Sequence, residues 1–171
     1  NKSFITFAYT TTLSSEQSLQ NHTAKTGYTI GLGRRDLFMI RQMDINLVLE
    51  MNWYDFESDT IEENFQTLSY FLVAQLDPKF SWYWLPKNME MGFKMGAGLI
   101  SPGYGFTAGY SAVFNLSPTP LSIGMVTQFN WVANITSDIP SPYWSSVGLV
   151  FGLNFEDKLP SLFDINFPDI F

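Results

Sequence analysis

The residues able to do chemistry are few, and their spacing decides what they could do. Asp44 and Glu50 are separated by an even number of positions, as are Glu90 and Lys94. In extended chain, where side chains alternate with period two, even spacing puts each pair on one face. Brought together in an interior, these four would form either a hydrogen-bonded charged plug or a path for protons or ions. Buried charges need partners, so a plug is expected. The single histidine, His22, stands in a polar stretch with Ser14, Ser15, Glu16 and Ser18. Histidine-assisted hydrolytic or acyl-transfer chemistry needs a histidine beside a serine or aspartate. A lone histidine in such a stretch reads as a solvated loop residue, so no catalytic residue is expected. With one histidine and no cysteine, no metal site and no disulfide is expected, and no cofactor is implied. The glycines fall at strand period or in turns, so no phosphate-binding loop is expected. The formal net charge of −7 disfavours nucleic acid, whose phosphates call for clustered Lys and Arg. Asn21, Asn115 and Asn134 open glycosylation sequons, which would be chance matches if the protein is bacterial.

The elements that must position these residues are strands. The chain has 171 residues, 46% hydrophobic and only 15% charged, against about 25% charged in typical soluble domains. No run reaches the 18 or so apolar residues of a membrane-spanning helix, so the apolar residues alternate with others. Around Asp44 and Glu50, Met43, Ile45, Leu47, Leu49, Met51 and Trp53 alternate with Gln42, Asp44, Asn46, Val48, Glu50 and Asn52. Only a period of two separates these sets. Similar alternation predicts eight strands, at residues 4–11, 25–33, 37–53, 65–76, 89–99, 104–116, 121–132 and 146–155. Residues 33–36 read as a tight turn, 54–64 as an acidic loop, and 133–144 as a loop. In most strands one face is large and apolar while the other carries Gly, Ser and Thr. That second face is a poor water-exposed surface and a good tight interior. Its glycines leave room for bulky residues from the opposite wall.

The last strand carries a more specific pattern. Ser146 and Gly148 share one face; Phe151, Leu153 and Phe155 share the other. This spacing resembles the C-terminal assembly signal of bacterial outer-membrane barrels: a polar residue, Gly two on, then alternate apolar residues ending on an aromatic. With eight alternating strands, the chain resembles the small eight-stranded outer-membrane barrels of the OmpA and OmpX type. The resemblance covers residues 4–155 by pattern rather than by an invariant motif. It implies an all-β, antiparallel, up-and-down transmembrane barrel, outer-membrane lipid around it, and insertion by the outer-membrane assembly machinery. Barrels of this size include lipid-modifying enzymes, a lipid A deacylase and a palmitoyltransferase, and that is the alternative reading. A soluble barrel holding an apolar ligand is a weaker one, since its large apolar residues would face inward. Trp53, Trp82, Tyr83, Trp84, Trp131 and Trp144 are candidates for interfacial aromatics, which favour the headgroup layer. The chain opens Asn1-Lys2-Ser3 with no signal-peptide pattern, which fits a processed exported protein and a cytosolic fragment equally.

Two domains are expected: the barrel at 1–155 and a periplasmic tail at 156–171. In the tail Leu162, Phe163, Ile165, Phe167, Ile170 and Phe171 are apolar, while Pro160 and Pro168 oppose a helix. Left in water these side chains would be costly, so the tail is expected to dock on an envelope partner or against the barrel's own end. The function expected is a non-enzymatic outer-membrane barrel, structural or accessory to an envelope complex.

Overall fold

The computed structural model describes residues 2–15, 24–40, 43–57, 65–78, 86–100, 103–133 and 143–156. Eight strands follow in chain order: β1 (Lys2–Ser15), β2 (Ala24–Ile40), β3 (Met43–Glu57), β4 (Phe65–Pro78), β5 (Met89–Ile100), β6 (Gly103–Asn115), β7 (Leu121–Ala133) and β8 (Tyr143–Glu156). Each pairs antiparallel with the next, and β8 pairs with β1, closing the barrel. The expected fold class and strand count are thus observed.

The register fixes the shape. Starting at Phe4, the paired residues are Gly33, Val48, Val73, Gly96, Thr107, Asn130, Trp144 and then Ser15. The circuit returns to β1 eleven positions further on, one of them the bulge residue Leu13, giving a shear of ten. For eight strands such a stagger requires a tilt of about 40° to the barrel axis and leaves an interior just wide enough for side chains. We call the end carrying the β2–β3, β4–β5 and β6–β7 connections the turn end, and the other the loop end.

The alternation sorts side chains as a membrane barrel does. Leu32, Leu49, Leu72, Met125 and Leu149 point outward and are exposed, whereas Thr29, Asn52, Ser69, Gln128 and Asn130 point inward and are buried. The inward glycines make room as expected, mostly for neighbours on the adjacent strand, while Gly105 of β6 also leaves room for the ring of Phe71 on β4, two strands away. A Cβ on Gly33 would collide with the ring of Phe4 directly across from it, and one on Gly27 with the ring of Tyr54.

Several expected boundaries are corrected. Residues 33–36 are not a turn: β2 runs through them to Ile40, and residues 37–40 belong to β2 rather than to β3. The ladder shifts between Arg34 and Phe38, so that three residues of β2 oppose Asn46. Two extra residues preserve the inside–outside parity of the strand. Asp36 sits at φ 56°, a left-handed conformation that Asp and Asn tolerate better than most residues, and its N–H donates to Asn46 Oδ1 at 2.9 Å. The strands are also longer at their ends than expected. Tyr54 to Glu57 continue β3, Asp77 and Pro78 end β4, and Tyr143 opens β8. His22, the aromatics Trp82, Tyr83 and Trp84, and the tail residues Leu162, Phe163, Ile165, Phe167, Ile170 and Phe171 lie outside the described residues.

Candidate functional site: the barrel lumen

The inward residues form three layers. In the middle, Lys94 Nζ donates to Glu50 Oε1 at 2.8 Å, with only 7% and 6% of the two side chains exposed. Gln128 Nε2 adds a longer hydrogen bond to Glu50 Oε2 at 3.4 Å. Beside this pair, Thr29 Oγ1 donates to Asn52 Oδ1 at 2.6 Å, and Asn52 Nδ2 donates to Ser69 Oγ at 3.1 Å. These links join β2, β3, β4, β5 and β7 across the interior.

The turn-end layer is built around Arg35. Its Nη1 meets Glu90 Oε2 at 2.8 Å and its Nη2 donates to Asn154 Oδ1 at 3.0 Å, with the guanidinium carbon 5.3 Å from the centre of the Phe4 ring. Asn115 Nδ2 donates to Glu90 Oε1 at 2.7 Å. The Asp77 carboxylate accepts from Asn46 Nδ2 and from Gln75 Nε2. The loop-end layer is aromatic and aliphatic. Tyr54 and Trp144 meet edge to face at 4.9 Å between ring centres, and Phe71, Ile100 and Val132 are fully buried with them.

Of the four charged residues that the sequence groups, the structure brings Glu50 and Lys94 into contact. Glu90 turns instead to Arg35, and Asp44 is buried on β3 toward the turn end. Arg35 and Asp77 were missing from the expected cluster, because they fell in segments read as a turn and as a connection. Parity would have found them: Gly27, Thr29, Gly31, Gly33 and Arg35 run at period two, as do Thr67, Ser69, Phe71, Val73, Gln75 and Asp77. The same parity corrects Trp144. Expected at the membrane interface, it is completely buried in the lumen, two positions before the inward Ser146. Trp53 and Trp131 do face outward near the loop end, where Trp131 stacks on Phe106 at 5.5 Å. On β8, Ser146 is buried inside, while Phe151, Leu153 and Phe155 are exposed outside. Phe151 pairs with Phe7 of β1 and Ile123 of β7, at the seam that closes the barrel.

No protein-family model matches the chain, and no curated protein matches it in sequence. Solved structures do match in shape. Neisserial surface protein A superposes with a TM-score of 0.61 at 10% identity, covering 90% of this chain and 96% of that one. The outer membrane enzyme PagL gives 0.51 at 11% identity, covering 90% and 99%. The Yersinia pestis outer membrane protein Ail gives 0.51 at 15% identity, again covering 90% and 99%. At such identities the likeness is one of fold: this chain has the architecture of the small eight-stranded outer-membrane barrels.

Proposed function

We propose that the protein is a non-enzymatic barrel of the bacterial outer membrane, a structural or accessory subunit of an envelope assembly, whose tail at 156–171 docks on a partner. The observation that carries the membrane reading is the inverted exposure of the strands. Large apolar side chains cover the outside of all eight, among them Phe7, Leu32, Leu49, Leu72, Met95, Tyr110, Met125 and Leu149. A soluble monomer rarely exposes more than a few hundred Å² of contiguous apolar surface, whereas a lipid-facing wall needs a continuous band. The lumen supports a structural role. Its charges are engaged in ion pairs and amide hydrogen bonds, an arrangement that fills and rigidifies an interior. The tail reading rests on six apolar side chains that would be costly in water.

The test is deletion of the gene combined with purification of the protein in mild detergent. Unchanged lipid A acylation on deletion, together with co-purifying envelope protein that is lost on truncation after Glu156, is the expected result. A change in lipid A mass that tracks the protein would replace this reading with the enzymatic one.

A further inference from the structure

The turn end of the barrel is uneven. β1 ends there at Lys2, which pairs with Arg35 of β2 and with Glu156 of β8. β2 runs on past that level to Ile40, and from Phe38 its ladder is with β3 alone: Phe38 with Ile45, Met39 with Asp44 and Ile40 with Met43. β2 and β3 thus form an arm beside the lumen mouth. Among the described residues no strand pairs with the edge of this arm on the β1 side. Such an edge is a template on which another extended segment can add. The arm is also apolar on both faces. Phe38 and Ile40, on the face that continues the outer wall, are 43% and 55% exposed, and Met39, on the face that continues the lumen, is 67% exposed. Lipid around the wall can cover the first two but not Met39, which faces the mouth.

One segment of this chain suits the arm in reach, in apolar content and in charge. The chain leaves β8 at Glu156, two strand positions from Arg35, a separation of about 10 Å. β8 and β2 both run antiparallel to β1, so both head toward the turn end. Three residues of extended chain, at about 3.3 Å each, cross that gap, and Leu159, Leu162 and Phe163 follow. From Glu156 onward the acids Glu156, Asp157, Asp164 and Asp169 stand against the single cation Lys158. The chain's arginines, Arg34, Arg35 and Arg41, all stand on β2 or in the connection just after it. Arg35 is committed to the lumen, while Arg34 and Arg41 flank the arm in sequence.

We propose that the near part of the tail, residues 157–163, lies along the β1-side edge of this arm, with Leu159, Leu162 and Phe163 covering Met39 and Ile40. The arm is the barrel's own seat for the tail, and it sets where Ile165, Phe167, Ile170 and Phe171 emerge toward a partner. This rests on the reading of the tail as a docking segment and names the surface that presents it.

The experiment is methyl NMR on the full chain in phospholipid nanodiscs holding one barrel each, with a nitroxide on a cysteine introduced by Ser161→Cys. The chain has no cysteine of its own. Leu121 is the control: it stands at the turn end of β7, paired directly with β8, and so lies nearer the start of the tail than the arm does. The methyl signals of Met39 and Ile40 are expected to broaden several-fold more than those of Leu121. Equal or stronger broadening at Leu121 would mean that the tail has no seat on the arm and would overturn the proposal. Broadening of Met39 by a nitroxide carried on lipid tails, with none from Ser161→Cys, would give the arm to the bilayer and overturn it as well. The unmodified chain supplies a second reading: nuclear Overhauser effects between the methyls of Leu159 or Leu162 and that of Met39 are expected, and their absence counts against the seat. Co-purification tests the partner separately. A partner lost on truncation after Glu156, without the arm contact, leaves the docking reading standing and overturns this one, and the arm contact without a partner does the reverse.

Discussion

At the scale of single residues, the Glu50–Lys94 pair is the most consequential contact. A buried pair is weak evidence for net stability, but removing one partner strands the other charge. Lys94→Met alone is expected to cost about 3–5 kcal/mol, whereas Glu50→Leu combined with Lys94→Met should be nearly neutral. Urea unfolding followed by the mobility of the folded band on gels measures both; equal losses for the single and the double variant would show that the pair does not act as a unit. Thr107 makes the opposite case. Its hydroxyl is buried without a partner among the described residues, so Thr107→Val, which keeps the shape, should raise stability by about 1 kcal/mol. The same unfolding assay reads it, and a loss of stability would mean that the hydroxyl is satisfied, by water or by a shifted neighbour. The residues that fill the lumen were only partly legible. Glu50 and Lys94 stand in the middle of long alternating runs, where the pattern is unambiguous. Arg35, Tyr54, Asp77 and Trp144 stand where alternation meets turn-like or charged composition. Local composition there suggested a connection or an interface, while strand parity, set by the whole ladder, points each of them inward.

At the scale of elements, the wall is a set of tilted strands whose outer faces should respond to depth. Leu49, near the middle of the outward run of β3, is exposed. Leu49→Arg is expected to cost about 2–4 kcal/mol by placing a charge in hydrocarbon, and Phe38→Arg, at the turn-end rim of β2, only about 0–1 kcal/mol. Equal costs, measured by unfolding in vesicles, would contradict a lipid-facing wall. The eight elements could be read from alternation because each carries at least three large side chains on one face. Their ends could not, since register and not composition decides where a ladder stops. The shift at Arg34 to Phe38 illustrates this. A Gly-Arg-Arg-Asp sequence has turn chemistry, yet the extra residues are absorbed as a bulge against Asn46 and the strand continues. On β8, the outward Phe151 and Phe155 flank the closing seam with β1. Replacing both by Ser is expected to reduce the amount of protein in outer-membrane fractions markedly if this strand serves as the assembly signal it resembles, because it would lose its aromatic anchors. Undiminished levels on immunoblots would move the recognised segment elsewhere in the chain, with Phe171 as the candidate.

At the scale of the whole molecule, closure of β8 on β1 completes the hydrogen bonding of every wall strand, which a bilayer demands because its core offers no water to exposed backbone groups. The barrel is closed by Glu156, so truncation after that residue should leave a barrel that still shifts on heating before electrophoresis, while any co-purifying partner is lost. A truncated chain that fails to fold would assign the tail to the barrel itself. Because the lumen is charged and polar and the outer wall apolar, the central claim is that this fold exists only where lipid or detergent covers the wall. The most direct test is refolding of the denatured chain with and without phospholipid vesicles, followed by circular dichroism and unheated electrophoresis. The account predicts strand signal and a heat-modifiable band with vesicles, and aggregation without them. A monomeric, β-rich, soluble protein in buffer free of lipid and detergent would contradict it.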